Sequence, residues 1–363
     1  MAPKTSTPSR DIARGTVIIT GANGSLGFWF VKNLLEKYPS HHAVLAVRDD
    51  SKKDRNTSKL RELVSRMKNA NVTIEKVDLA SLANVRSFAD SIIERVSKGD
   101  LPPITSLVCN SFNWSLVGQR NSVDNYDLSF QVTHLSHFLL VLKLLESVDR
   151  ENGRIVFLGS VAHDGEDLNA FMTIGARIPE DIEELVSPTP DTPGEEQGRG
   201  FQRYGSAKLA TVMFMHMLNR KLLQVCISRT FISLKVAKLL SDSLIQDPSL
   251  MHITAFAMDP GGMPSSRAFK DVPSVFKTTM FVVGHFILPV AQYFTKTLSS
   301  PATAGYELTT LAVGPEGEGI RGYFVRLEQK DSWVESRNES KQREVWAACE
   351  KWVALEASDT VLK

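Results

Sequence analysis

The sequence predicts an α/β fold in which a doubly wound parallel sheet carries helices on both faces. Apolar runs of five or six residues alternate with amphipathic helical patterns from residue 15 onward, and a glycine-rich turn follows the first run. No internal repeat or linker divides the 363 residues. Such alternation is typical of a parallel sheet covered on both faces. We therefore expect one domain, 1–363, with an extended C-terminal region.

The strands are predicted from short runs rich in β-branched and other apolar residues, which are typical of buried parallel strands. In chain order these runs are TVIIT (16–20), HAVLAV (42–47), VTIEKVD (72–78), ITSLVC (104–109), GRIVFLGS (153–160), HITAFAM (252–258) and GYFV (322–325).

Helices are predicted in the intervals between these runs. One helix follows the glycine-rich turn, and another is indicated by Leu60, Leu63, Val64 and Met67, which are spaced i, i+3, i+4, i+7. Further helices are expected over 82–96, over 130–148 and from Tyr204 onward.

Composition and charge exclude several classes of protein. A net charge of +1 and a pI near 7.7 give no electrostatic signature of nucleic-acid binding. Three cysteines cannot form a disulfide framework, which favours a reducing compartment. The polar residues 1–14 lack the apolar run of a signal peptide and are expected to be a flexible tail. We expect a cytoplasmic protein with a small-molecule substrate, and homo-oligomerisation stays open.

The turn after the first strand, TGANGSLG (20–27), predicts a dinucleotide site. Glycines between a strand and a helix let the backbone approach a pyrophosphate, while the helix N-terminus supplies free amide groups. The alternative is a simple tight turn. In this context we expect a Rossmann-type cofactor cradle formed by Gly21, Asn23, Gly24, Ser25, Leu26 and Gly27.

The end of the second strand indicates which cofactor binds. An acid there would accept the ribose hydroxyls of NAD, but the sequence has Val47 followed by Arg48. An arginine suits the 2′-phosphate of NADP, so NADP is the expected cofactor; a solvent-facing arginine is the alternative. Asp78, which ends the third predicted strand, is expected to contact the adenine.

The motifs TGANGSLG, LVCNS (107–111), RIVFLGS (154–160), YGSAK (204–208) and DPGG (259–262) occur in this order, each at a strand end or a helix start. Together they resemble the short-chain dehydrogenase/reductase superfamily, over about residues 15–265. FQVTHLSHFLL (130–140) and VAH (161–163) are most similar to its retinol-dehydrogenase-like branch and to fungal reductases of that kind.

The resemblance implies a role for each matching residue. Tyr204 would be the catalytic acid/base, Lys208 would hold the nicotinamide ribose and lower the pKa of the phenol, and Ser160 would hydrogen-bond the substrate oxygen. Thr133 stands where the family has the asparagine that helps to hold a relay water, partly through its backbone carbonyl. The resemblance further assigns Asn110, Tyr204, Lys208, Pro260, Gly261 and Ser265 to cofactor binding.

Three departures from the family pattern have consequences. Ser25 replaces a glycine, so that the glycines fall at 21, 24 and 27, the spacing of the extended, epimerase-like branch. Thr133 in place of asparagine is expected to weaken the proton relay. Ser160 and Tyr204 lie 44 positions apart (204 − 160) instead of the usual dozen or so, which makes 161–203 a long active-site loop.

Two segments have several interpretations. The apolar run 281–294 is too short to span a membrane and belongs to 266–320, which we expect to be a substrate lid; core packing or a membrane-surface patch are the alternatives. Residues 225–246 are interpreted as an insertion. The segment starts with Val, whose codons begin with GT, and ends with Gln, which CAG can encode, and these are the nucleotides found at intron borders. The segment is therefore either a translated intron or a genuine extra helix.

His163, His134 and His137 lack a third ligand at suitable spacing, and no metal is expected.

These observations lead to one expected function and two alternatives. The expected function is an NADP-dependent oxidoreductase that interconverts a ketone and a secondary alcohol on a fairly apolar small molecule, in fungal secondary metabolism. One alternative is a non-catalytic NADP-binding regulator with the same fold. The other is an epimerase or reductase of the extended branch.

Overall fold

The computed structural model describes residues 15–67, 70–168, 172–231, 247–264, 278 and 298–362, with only the backbone described for 224–231. The predicted tail, most of 225–246 and most of 266–297 lie outside these residues. Eight strands form one sheet in the order β3-β2-β1-β4-β5-β6-β7-β8. The strands are β1 (Thr16–Thr20), β2 (His42–Val47), β3 (Asn71–Lys76), β4 (Ile104–Cys109), β5 (Arg154–Leu158), β6 (Thr254–Asp259), β7 (Gly322–Val325) and β8 (Glu328–Lys330).

All pairings among β1–β7 are parallel, and β8 pairs with β7 in antiparallel orientation. The predicted doubly wound parallel sheet is confirmed. Strand order reverses between β1 and β4, and the crevice at the carboxyl ends of these strands is where such sheets bind ligands. The short β8 was not predicted, since EQK has no apolar alternation.

Seven longer helices flank the sheet within the described residues. These helices are α1 (Ser25–Lys37), α2 (Arg55–Ser65), α3 (Leu82–Ser97), α4 (Ser136–Leu144), α5 (Glu196–Phe231), α6 (Pro301–Ala312) and α7 (Glu339–Trp352). Shorter α, π and 3₁₀ segments comprise Leu128–Phe130, Gln131–Leu135, Leu145–Ser147, Val161–His163, Ile182–Leu185, Pro248–His252, Pro315–Gly317, Val334–Arg337 and Ala357–Asp359.

The apolar core consists of two layers, one on each face of the sheet. Side chains alternate across β1, so that Ile18 joins one layer while Val17 and Ile19 join the other. The first layer packs against α3, α4, α5 and α7, and the second against α1 and α6. Burial on both faces explains why the strands are continuous apolar runs.

The predicted helix over 130–148 is interrupted at its start. Gln131–Leu135 forms a π-helical turn before α4 begins at Ser136. The stretch Leu128–Ser147 is long and apolar enough to cross a membrane by length and composition, but 83% of its most apolar window is buried inside the protein. Because neighbouring elements cover it, the stretch acts as a core helix of the domain.

Candidate active site

The glycine-rich turn between β1 and α1 depends on three glycines. Gly21 has φ +65°, and a Cβ there would lie 2.7 Å from Oγ of Ser111. A Cβ at Gly24 would lie 2.9 Å, and one at Gly27 only 2.4 Å, from the carbonyl oxygen of Gly21. Helix α1 therefore begins tightly against the turn, and no side chain caps its N-terminus. This end of the helix can receive a pyrophosphate.

Asn110, predicted to bind cofactor, holds the turn in place. Its Nδ2 donates to the carbonyl oxygens of Thr20 (2.8 Å) and Gly21 (3.3 Å). The hydroxyl oxygen of Thr20 in turn accepts the backbone amides of Asn110 and Ser111, both at 3.0 Å. These bonds fix the ends of β1 and β4 to each other at the point where the strand order reverses.

The region after β2 is tied to the same turn. The side chain of Asn23 donates to Oγ1 of Thr57 (2.8 Å), and that hydroxyl donates to the carbonyl oxygen of Asp49 (2.7 Å). Arg48 ends in solvent, and no salt bridge to it forms among the described residues. Its guanidinium is therefore available to an anion beside the glycine turn.

The other predicted cofactor residues occupy different environments. Ser25 is the first residue of α1, whereas the side chain of Leu26 is 5% exposed and packs in the core, so only its backbone can face a ligand. Asp78 lies half-buried just after β3, where its carboxylate accepts the amide of Ala80 at 3.0 Å. Pro260 and Gly261 follow β6 directly, with Gly261 at φ +78°.

The structure brings together the three residues predicted to be catalytic. Tyr204 and Lys208 lie one turn apart on α5 and are only 9% and 2% exposed. Ser160 follows β5 and lies close enough to Tyr204 for its hydroxyl to lower the pKa of the phenol. Nζ of Lys208 donates to the carbonyl oxygen of Leu158 at 2.5 Å and lies 5.7 Å from the ring centroid of Tyr204. Two hydroxyls and one ammonium group thus converge at the carboxyl end of the sheet.

Burial dominates the electrostatics of this group. It raises the pKa of the Tyr204 phenol well above its usual range; the charge of Asp259 raises that pKa further, and the hydroxyl of Ser160 lowers it. Burial lowers the pKa of Lys208 to about 8, against the opposing effect of Asp259. The expected lowering of the phenol pKa by Lys208 is therefore not found: desolvation is the largest cause, and the cause that lowers this pKa is Ser160.

Asp259 is a site residue that the sequence interpretation overlooked. It ends β6 and is 6% exposed, and its Oδ1 accepts the backbone amide of Gly261 at 2.8 Å. The amide of Val161 and the hydroxyl of Tyr323 also hydrogen-bond this carboxylate. Burial nevertheless raises the pKa of Asp259. The DPGG motif could have indicated this residue, because a carboxylate near Lys208 is an obvious charge partner for its ammonium group.

His163 supports the backbone of Ser160. Its Nδ1 lies 2.8 Å from the carbonyl oxygen of Ser160, while Nε2 accepts the backbone amide of Trp333 at 3.0 Å. These partners assign the proton to Nδ1, and burial lowers the pKa of the ring, which keeps it neutral. Among the residues that the structure describes, no cluster of His, Cys, Asp or Glu could hold a metal ion.

Thr133 occupies the π-helical turn. Its hydroxyl bonds both backbone groups of Asn113, accepting from the amide at 3.1 Å and donating to the carbonyl at 3.2 Å. Its carbonyl oxygen lies 3.1 Å from Nδ1 of His137, and Nε2 of His137 lies 3.0 Å from Oγ1 of Thr20. Since Thr20 already accepts two amides, its proton points to Nε2, and the imidazole proton points to Thr133. One lone pair of the Thr133 carbonyl is thus engaged.

Described parts of the predicted long loop 161–203 pack against α5, and its last residues belong to that helix. Helix α5 begins at Glu196, eight residues before the predicted start at Tyr204 (204 − 196). Arg203 pairs with Asp191 in the loop and lies 3.6 Å from the buried carboxylate of Asp127. A Cβ at Gly205 would lie 2.5 Å from the carbonyl oxygen of Ala162, so the loop packs directly on α5.

Comparisons with known proteins agree with this geometry. A family model described as short chain dehydrogenase matches residues 15–170, and one described as AcuH dehydrogenase domain matches 269–362. The short-chain dehydrogenase iccH of Talaromyces variabilis is 29% identical, covering 96% of this chain and 98% of that protein. Human retinol dehydrogenase 13 is 27% identical, covering 96% of this chain and 88% of that protein.

This chain is similar to the short-chain dehydrogenase/reductase superfamily, whose family model matches residues 15–170. Its similarity to iccH and to retinol dehydrogenase 13 supports the predicted resemblance to the retinol-dehydrogenase-like and fungal branch. The reductase is accordingly an NAD(P)-dependent oxidoreductase that acts on CH–OH or C=O groups.

Solved structures show the same fold. The NADPH-bound carbonyl reductase from chicken fatty liver aligns with a TM-score of 0.53 at 15% identity, covering 89% of this chain and 96% of that one. A blue fluorescent protein from a metagenomic library, in complex with NADPH, aligns with a TM-score of 0.55 at 16% identity, covering 89% and 98%.

Some predictions for this reductase concern residues outside the described ranges. They include Ser265, the insertion beyond Phe231 and most of the expected lid over 266–320. Within 298–320, helix α6 packs against α1 and its Leu308 joins the core, so this part of the expected lid belongs to the domain body.

Proposed function

We propose that this enzyme is an NADP-dependent reductase that interconverts a ketone and a secondary alcohol on a fairly apolar small molecule. The observation that carries the proposal is the convergence of Ser160, Tyr204 and Lys208 at the carboxyl end of the sheet. Its similarity to a fungal dehydrogenase supports a role in fungal secondary metabolism, and we propose a cytoplasmic location.

The cofactor cradle fits NADP. Gly24 and Gly27 let the turn close tightly on the start of α1, since a Cβ at either would collide with the carbonyl oxygen of Gly21, and the free amides at this helix start would bind the pyrophosphate. Arg48, exposed beside this turn, would pair with the 2′-phosphate. Lys208 would hold the nicotinamide ribose, and Pro260 with Gly261 would border the ring. When bound, NADPH supplies the hydride that is added to the carbonyl carbon.

The protein's own groups manage the proton. As hydride adds to carbon, the π electrons move to the carbonyl oxygen, which takes the proton of the Tyr204 phenol and becomes the alcohol hydroxyl. Ser160 donates a hydrogen bond to the same oxygen and stabilises the charge that develops there. Because burial raises the pKa of Tyr204, the phenol keeps its proton at neutral pH, which suits the reduction direction.

A screen of NADPH consumption over ketones of increasing size tests the activity. With any ketone that is reduced, Tyr204→Phe keeps the ring and its packing but removes the proton, so turnover should fall at least about 100-fold while NADPH still binds. The measurements are the turnover number and a fluorescence titration of NADPH. Turnover at the wild-type rate would instead favour the non-catalytic, NADP-binding regulator.

Cofactor choice has its own test. Arg48→Ala should weaken the binding of NADPH far more than that of NADH, because NADH lacks the 2′-phosphate. Titrating both cofactors into wild type and variant gives the ratio of NADPH affinity to NADH affinity for each protein. Arg55→Ala, which removes an arginine at the start of α2, serves as the matched control. Equal wild-type affinity for the two cofactors would contradict the NADP assignment.

A further inference from the structure

Two aromatic side chains contact the ring of Tyr204, and a third packs against one of them. Phe112 and Trp114 lie on the segment after β4, with ring centroids 5.6 Å and 5.3 Å from that of Tyr204. Trp114 also packs edge-on against Phe201 of α5 at 5.3 Å, and Phe112 packs edge-on against Trp114 at 6.0 Å. The rings form a continuous series of edge-to-face and tilted contacts that ends at Phe112.

Phe112 is the exposed end of this series. Its side chain is 37% exposed, whereas Phe201 is 7% and Tyr204 is 9% exposed. Val161, the residue after Ser160, is likewise an exposed apolar side chain at 45%. Phe112, which contacts the ring of Tyr204, and Val161, which follows Ser160, are therefore exposed apolar side chains next to the two reactive residues; Nζ of Lys208 lies 5.6 Å from the centroid of the Phe112 ring.

The segment that carries Phe112 is fixed by hydrogen bonds on both sides. The amides of Asn110 and Ser111 are held by Thr20, and both backbone groups of Asn113 are held by Thr133. Because moving the Phe112 backbone would break these hydrogen bonds, a ligand that does not fit cannot easily displace its ring. Such a ring can therefore discriminate between ligands.

We propose that Phe112 determines specificity, selecting ketones that carry a planar aromatic ring next to the carbonyl group. The ring centroids of Phe112 and Tyr204 are only 5.6 Å apart, so a ketone whose oxygen is held by Tyr204 and Ser160 would bring the substituents of its carbonyl carbon near Phe112. An aromatic substituent extends the edge-to-face series and gains an interaction that a saturated ring of similar size lacks. The inference rests on the proposed ketone reductase function.

The test compares acetophenone with cyclohexyl methyl ketone, whose substituents have similar size. The ratio of their kcat/KM values is measured for wild type, Phe112→Leu and Phe112→Tyr, so that intrinsic reactivity cancels between proteins. We expect the aromatic preference to fall about three- to tenfold in Phe112→Leu, corresponding to one aromatic contact, and to survive in Phe112→Tyr. Leu223→Ala is the matched control. It removes an exposed apolar side chain on α5, about 28 Å along the helix from Tyr204, and should leave the ratio unchanged.

The outcomes separate this inference from the proposed function. If both ketones are reduced and the ratio is the same in wild type and Phe112→Leu, the aromatic selection is wrong while the reductase stands. If wild type binds NADPH but reduces neither these ketones nor any in the size screen, the reductase proposal fails and the selection fails with it. An equal decrease of both kcat/KM values in Phe112→Leu, which leaves their ratio unchanged while 2-butanone reduction is retained, would also overturn it.

Discussion

Burial of the Lys208 ammonium should make the stability of the protein depend on pH in a specific way. Its pKa is 10.5 in the unfolded chain and about 8 in the folded protein, because the side chain is desolvated. The difference of about 2.5 corresponds to about 3 kcal/mol by which the charged lysine destabilises the fold. Since the unfolded chain binds this proton more tightly, the destabilisation is present below about pH 8 and is relieved as pH rises toward 10.5.

The perturbation that isolates this effect is Lys208→Met, which keeps a long apolar side chain without the charge. The free energy of unfolding of wild type, relative to that of the variant, should rise by about 2.5 kcal/mol between pH 7 and pH 10. The assay is urea unfolding followed by circular dichroism at several pH values. Taking the difference between the two proteins cancels the titration of groups that they share.

An exposed lysine provides the matched control. Glu94 raises the pKa of Lys98, so the stability that this lysine contributes is present below its unfolded pKa and is lost at higher pH. Because that loss begins only above about pH 10.5, Lys98→Met should leave the difference nearly constant from pH 7 to pH 10. A wild-type difference from Lys208→Met that stays constant from pH 7 to pH 10, with all proteins folded, would refute a desolvated, charged Lys208.

Two further substitutions test the cradle and the brace. Gly27→Ala places a Cβ 2.4 Å from the carbonyl oxygen of Gly21. The free energy of unfolding measured in urea should therefore fall by about 1–3 kcal/mol, and NADPH binding measured by fluorescence should weaken. A variant with unchanged stability and NADPH binding would mean that the turn is not close-packed. Thr133→Ala leaves both backbone groups of Asn113 unpaired and should cost about 1–3 kcal/mol while retaining most ketone turnover, whereas Thr133→Ser should recover the stability. Complete loss of turnover in a folded Thr133→Ala protein would show that the hydroxyl takes part in the reaction.

The elements that could be predicted are those with a strong local signal. Strands β1, β2, β4 and β7 have the predicted bounds, because each is a short apolar run ended by a polar residue or a turn. The glycine turn and the spacing of Tyr204 and Lys208 are likewise local features. Periodicity and glycine stereochemistry act over a few residues, so the sequence alone is sufficient to determine them.

Helix starts were less predictable. The segment before Tyr204 contains Gly198 and Gly200, which disfavour helix, yet α5 extends over them. Both glycines pack against other segments: a Cβ at Gly200 would lie 2.1 Å from the carbonyl oxygen of Ser115, and one at Gly198 would lie 2.7 Å from Thr173. Close packing between distant parts of the chain outweighed intrinsic propensity.

The sequence by itself determined the parallel sheet, the glycine-rich turn after β1 and the spacing that puts Tyr204 and Lys208 one turn apart on a helix. Only the tertiary structure decided their environment: that Asp259 lies beside Lys208, that Thr133 braces Asn113, and that burial raises rather than lowers the pKa of Tyr204. The physical reason is range. Patterning reflects neighbours along the chain, whereas desolvation and charge pairing depend on which distant segments the completed sheet brings together at its carboxyl edge.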